Sequence, residues 1–149
     1  METDNLTTRR FTTIAGATGA AIALTMLLSA PAHAYAGNFG CSTTGALGKL
    51  TAHYRGPIGN PSPNPMHLVI SLKDTKADDH HARIRYLSQD RDGVVKKWKW
   101  RANTGGNGNL EVWETTASYT NNYFTESGVE VARFEGDRLM NSCTDWTAA

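Results

Sequence analysis

The chain has 149 residues, a formal net charge of +1 and two cysteines. That length gives room for one modest hydrophobic core and not for two. The near balance of charge excludes a uniformly basic chain, so a polyanionic partner would have to be met by a local patch.

In chain order the first feature is an export signal. Arg9 and Arg10 precede an uncharged run, "IAGATGAAIALTMLLSA" from Ile14 to Ala30, followed by Pro31 and "AHAYAG". A positive start, an apolar centre and an A-x-A site are the parts of a signal peptide. Cleavage is expected after Ala34 or Ala36. That makes residues 1–36 the signal peptide and residues 37–149 a single exported domain of a bacterial protein. The run falls short of the roughly 20 apolar residues that span a bilayer and contains Gly16 and Gly19, so no transmembrane segment is expected after cleavage. The twin arginines suggest Tat export, but Phe11 follows Arg10 with no spacer, and Sec export is the default. Losing Arg9 and Arg10 together with Glu2 and Asp4 leaves the balance at +1.

Cys41 and Cys143 lie near the two ends of what remains. In an exported chain, two cysteines read as one intramolecular disulfide. No CxxC or Cys/His spacing suggests zinc, and no cofactor is expected.

The remaining chain alternates with period two and has almost no helical periodicity. Strands are expected at 49–55, with Leu50, Ala52 and Tyr54 on one face, and at 66–73, with Met66, Leu68, Ile70 and Leu72 on one face. "GPIGNPSPNP", Gly56–Pro65, is a loop between them. Further strands are expected at 81–87, 94–102, 110–115, 118–124 and 129–134, with "NTGGNGN", Asn103–Asn109, as another loop. About seven short strands separated by turn signals read as an all-β, antiparallel β-sandwich preceded by a signal peptide. The domain is expected to be a monomer.

"ADDHHARIRYLSQDRDG", Ala77–Gly93, concentrates titratable groups. His80 and His81 are adjacent, and adjacent strand residues point to opposite faces, so they do not chelate one ion from a regular strand. If the strands at 66–73 and 81–87 form a hairpin with Lys73 opposite His81, His67 lies far from His81. Asp74, Asp78 and Asp79 are all oxygen donors, which keeps a calcium loop among the alternatives. "DRDG" suits a type I turn from Asp90 with Gly93 in the left-handed region, the three-residue hairpin with a bulge.

That turn implies a register. With Asp90 facing Val94, Tyr86 faces Trp98, Ile84 faces Trp100 and Ala82 faces Ala102. On the opposite face Leu87 meets Lys97, Arg85 meets Lys99 and Arg83 meets Arg101. The result is a basic strip of Arg83, Arg85, Lys97, Lys99 and Arg101. Trp113 joins it if Trp100 faces Leu110. Two readings follow. The strip binds an anionic extracellular or cell-wall polymer, or the next strand balances it through Glu111 and Trp113. No specific nucleic-acid motif is present.

"DDHHARIRY", the tryptophan-bearing strand after it and the closing "NSCTDW" resemble small exported actinomycete proteins. The resemblance implies an exported single-disulfide β-sandwich and supplies no functional residues. The expected function is non-catalytic binding, with no catalytic residues assigned. The alternatives are an extracellular protease inhibitor using the Gly56–Pro65 loop, a neutral-carbohydrate module using Trp113 and Trp146, and a calcium-dependent enzyme.

Overall fold

A computed structural model describes residues 34–55, 65–118 and 124–148. The expected signal peptide up to residue 33 and most of the Gly56–Pro65 loop lie outside the described residues. Nine strands occur among the described residues: β1 (Ala34–Thr43), β2 (Ala46–Arg55), β3 (Met66–Asp74), β4 (His81–Asp90), β5 (Val95–Lys97), β6 (Arg101–Asn103), β7 (Leu110–Ala117), β8 (Phe124–Glu135) and β9 (Arg138–Ala148). They form two antiparallel sheets. One has the order β1-β2-β3-β7, and the other has the order β5-β4-β8-β9 with β6 also paired to β4.

The chain is all-β, as its period-two pattern implies, but the expected seven strands become nine. β1 carries Gly37, Asn38 and Gly40, and β9 carries Asn141, Ser142 and Thr144, residues that mask alternation. The expected strand at 94–102 is two short pieces, β5 and β6. Of the expected strand at 118–124, Phe124 opens β8, Ser118 is outside any strand, and residues 119–123 lie outside the described residues.

The two sheets share one core. Leu50, Ala52, Leu68, Ile70 and Leu72 from the first sheet meet Ala82, Ile84, Tyr86, Val129 and Val131 from the second. Gly48 marks a close approach. A Cβ there would lie 2.4 Å from Val131 Cγ2 and 2.7 Å from Ile84 Cδ1. Several buried polar groups are paired across the core, while Tyr54 Oη, Arg83 Nε and Arg133 Nε are buried without a hydrogen-bond partner. Tyr86 Oη and Ser127 Oγ are 2.9 Å apart, and Trp98 Nε1 donates to Ser88 Oγ at 2.9 Å.

One seam is covalent. Cys41 on β1 and Cys143 on β9 form the expected disulfide, joining an edge strand of each sheet. Beside it Gly40 N donates to Asp145 Oδ2 at 2.9 Å, and Thr43 Oγ1 donates to Asn141 Oδ1 at 2.8 Å. The opposite seam is polar. The buried Asn103 donates from Nδ2 to Leu72 O at 3.0 Å and Asn109 O at 2.8 Å, and its Oδ1 accepts from Gly105 N and Asn109 Nδ2.

The strands at 66–73 and 81–87 do not form a hairpin. β3 pairs with β2 and β7, whereas β4 pairs with β5, β6 and β8, so residues 75–80 cross from one sheet to the other. Lys73 therefore faces Leu47 and Leu110 rather than His81.

Two outcomes test the packing. Replacing both cysteines by serine should lower stability in urea unfolding by about 4–5 kcal/mol, the chain-entropy value for a loop of roughly 100 residues. Gly48→Ala should cost about 1–3 kcal/mol from overpacking, read as an earlier urea midpoint with an unchanged slope.

Candidate functional site

The Asp90–Gly93 turn forms as its residues dictate. Gly93 has φ 79°, Gly93 N donates to Asp90 O at 3.0 Å, and Asp90 N donates to Val94 O at 3.1 Å. Asp90 Oδ1 accepts from Asp92 N and Val94 N. Leu87 then faces Lys97, the expected register. Trp98 N donates to Tyr86 O at 3.0 Å, and their rings pack with centroids 5.7 Å apart.

Beyond Trp98 the register slips. Ile84 faces Arg101 and Arg83 faces Ala102, so one extra residue lies between Trp98 and Arg101. This is a bulge, and it reverses the faces that follow. The shift puts Arg101 rather than Trp100 opposite Ile84. Trp100 instead lies on the outer face of the second sheet, against Phe134 at 5.3 Å between ring centroids.

The slip divides the basic strip. Arg85 lies with its guanidinium carbon 4.1 Å above the Trp100 ring, and Arg83 lies 4.3 Å above the Phe134 ring. Lys97, opposite Leu87 on the same face, and Lys99, next to Trp100 in the chain, are exposed. Arg101 shares a register position with the inward-facing Ile84 and lies 5.9 Å from the Trp113 ring. Trp113 belongs to the other sheet. It faces Ile70 on β3 and packs half-buried against the core. Its expected outward orientation and its pairing beside Lys97 are therefore corrected: β7 joins β3 because the chain crosses sheets after Asn103.

The charge balance also differs from expectation. β8 supplies it, not β7. Arg85 faces Glu130, and its Nε and Nη2 lie 2.7 and 2.6 Å from Glu130 Oε2. Arg83 Nη2 donates to Gly136 O at 2.7 Å and to the exposed Asp137 at 3.1 Å. Trp146 lies on the same outer face, directly across from Gly128 on β8. A Cβ on Gly128 would stand 2.8 Å from the indole, so glycine leaves the ring its seat. Sequence parity does not reveal Trp100 and Trp146 as companions, because the bulge falls between Trp98 and Arg101.

The Asp–His stretch builds a different feature. A cleft of about 480 Å³ is lined by Asp74, Asp78, Asp79, His80 and His81 from one side, and by Asn103, Thr104 and Asn107 from the other. Asp79 adopts φ 56°, a left-handed conformation that aspartate tolerates better than most residues. Asp78 is the centre of an ion cluster. Its Oδ2 contacts Arg133 Nη2 and Lys76 Nζ, and its Oδ1 lies 3.1 Å from His80 Nδ1. Desolvation raises the Asp78 carboxyl, but Lys76, Arg133 and His80 outweigh it and hold the group below its ordinary value. Both Asp78 oxygens are thus engaged by neighbouring side chains. Among the described residues no group of three or more His, Cys, Asp or Glu side chains is placed to hold a metal ion.

Comparison with protein-family models, curated proteins and solved structures finds no match to the chain. Among the described residues no helix is long and apolar enough to cross a membrane.

The Asp78 cluster has a pH signature. A carboxyl held low in the folded state contributes stability that is present above its ordinary pKa of 3.8 and lost as pH falls through the folded value. Asp78→Asn should therefore be less stable than the wild type at neutral pH, and the gap should close below about pH 4. Glu135 is held low mainly by Arg138, with His80 and Arg133 adding to it. Urea unfolding of both proteins between pH 2 and 7 measures the gap, and a constant gap would contradict the assignment.

Proposed function

We propose that this chain is an exported, disulfide-closed β-sandwich domain that acts by binding rather than by catalysis. Its ligand is an anionic extracellular or cell-wall polymer, taken on the outer face of β4 and β5. The observation that carries this reading is the pair of guanidiniums, Arg85 on Trp100 and Arg83 on Phe134, beside the exposed Lys97 and Lys99. A guanidinium flat on a ring is held in place. Glu130 and Asp137 offset the two arginines and engage their donors, so among the described residues of this face Lys97 and Lys99 supply the charge open to a ligand. Arg101 and Trp113 have no part in this surface.

A second reading uses the same face. Trp100 and Trp146, both half-buried on it, would suit stacking on neutral sugar rings. The two ligand classes respond differently to salt, because screening acts on exposed charges over about 8–10 Å at physiological ionic strength.

The test is co-sedimentation of the oxidised protein with purified wall polymers across a salt series. Binding should fall steeply as salt rises. Lys97→Glu combined with Lys99→Glu should weaken it about tenfold or more at low salt, with an unchanged melting temperature. Binding that survives both the salt and the charge reversal would replace this ligand with a neutral carbohydrate.

A further inference from the structure

The outer face of the first sheet, across the molecule from the arginines, carries an arrangement that the binding reading does not use. β2 and β3 place His53 and His67 directly opposite each other. On an antiparallel pair, opposite residues hold their Cβ atoms roughly 4.5–5.5 Å apart on the same face. The two imidazole centroids are 5.7 Å apart and the rings are tilted by 39°. Both side chains are accessible. His53 is exposed, and the His67 side chain keeps 45% of its surface. Val69 and Ser71 beside them on β3 are uncharged.

We infer that His53 and His67 form a two-imidazole site for a divalent transition-metal ion of the zinc, nickel or copper class. The chemistry favours that class because neutral imidazole is a ligand that these ions prefer to oxygen-only sites. The geometry is within reach. Nitrogens sharing one tetrahedral ion at about 2.0–2.1 Å each stand roughly 3.3 Å apart. Rings with centroids at 5.7 Å come to that spacing by side-chain rotation, with no movement of the strands. Water completes the shell on this exposed face.

Glu114 is the second observation that points to a ligand. β7 pairs beside β3 with Glu114 opposite Val69, one step along from His67. Its carboxylate lies 3.5 Å from His67 Nε2. Metal-bound histidines commonly give their other ring N–H to a carboxylate, which fixes the tautomer and makes the free nitrogen a better donor. With Glu114 at Nε2, His67 keeps Nδ1 for the ion. His80 offers a contrast, because its Nδ1 is engaged by Asp78 and Arg133.

This site is independent of the polymer-binding face, and either can fail alone. The test is titration of the oxidised protein with zinc alone, followed by calorimetry and by NMR of the imidazole nitrogens. One equivalent should bind and shift the His53 and His67 resonances. His53→Gln and His67→Gln should each weaken zinc binding at least about tenfold, and Glu114→Gln by a similar or smaller factor. All three should melt like the wild type without zinc, and His81→Gln should bind zinc as the wild type does. Three results would overturn the assignment: no binding up to millimolar zinc, unchanged affinity in both His53→Gln and His67→Gln, or shifts confined to His80 and His81.

Discussion

The bond between Cys41 and Cys143 sets the frame in which every other contact is made. It connects β1 to β9, an edge strand of each sheet, across a sequence separation of 102. Without it, the two sheets are joined on that side by hydrogen bonds from Gly40 N to Asp145, from Thr43 to Asn141 and from Asn141 to Thr44 O. A small domain buries a limited share of its surface, so a covalent closure over 102 residues carries a large part of its net stability. The opposite seam has no covalent tie and relies on Asn103, whose amide bonds in all four directions.

Gly48, Ile84 and Val131 meet with no room for an added carbon, which sets how closely the two sheets approach. In the sheet that holds Ile84 and Val131, the hairpin strand bulges past Trp98. One extra residue turns Trp100 from the core to the outer face and turns Arg101 from the outer face towards Trp113. The stacking of Arg85 on Trp100 thus follows from the register shift. The pairing of Arg85 with Glu130 follows from the order β4-β8, which places Glu130 directly opposite.

The Asp–His stretch shows how the same residues take different roles in a tertiary setting. A row of aspartates before two histidines invites a metal reading. In the fold Asp78 instead neutralises the buried Arg133, which comes from β8, more than 50 residues further along the chain. The cluster secures the crossing from one sheet to the other, and its carboxyl is held low by those cations. The histidine pair that does meet, His53 with His67, is separated in sequence by a proline-rich stretch and carries no local motif.

What the sequence determines by itself is local. Period-two alternation identifies β2, β3 and β4 with their inward residues, because side-chain parity on a strand needs no knowledge of neighbours. Asp90 and Gly93 determine a turn and three residue pairs beyond it, because a left-handed glycine closes the hairpin in one way. Two cysteines in an all-β chain leave one pairing. The tertiary structure alone decides which strands are neighbours. It sends β7 to β3 and places β8 beside β4, and those choices depend on long-range packing that period-two patterns do not encode. It also decides where the register breaks, since neither the turn nor the strand parity marks the bulge after Trp98. The composition of each exposed face depends on both decisions. Arg83 and Arg85 lie where parity places them, while Arg101, Trp100 and Trp113 do not.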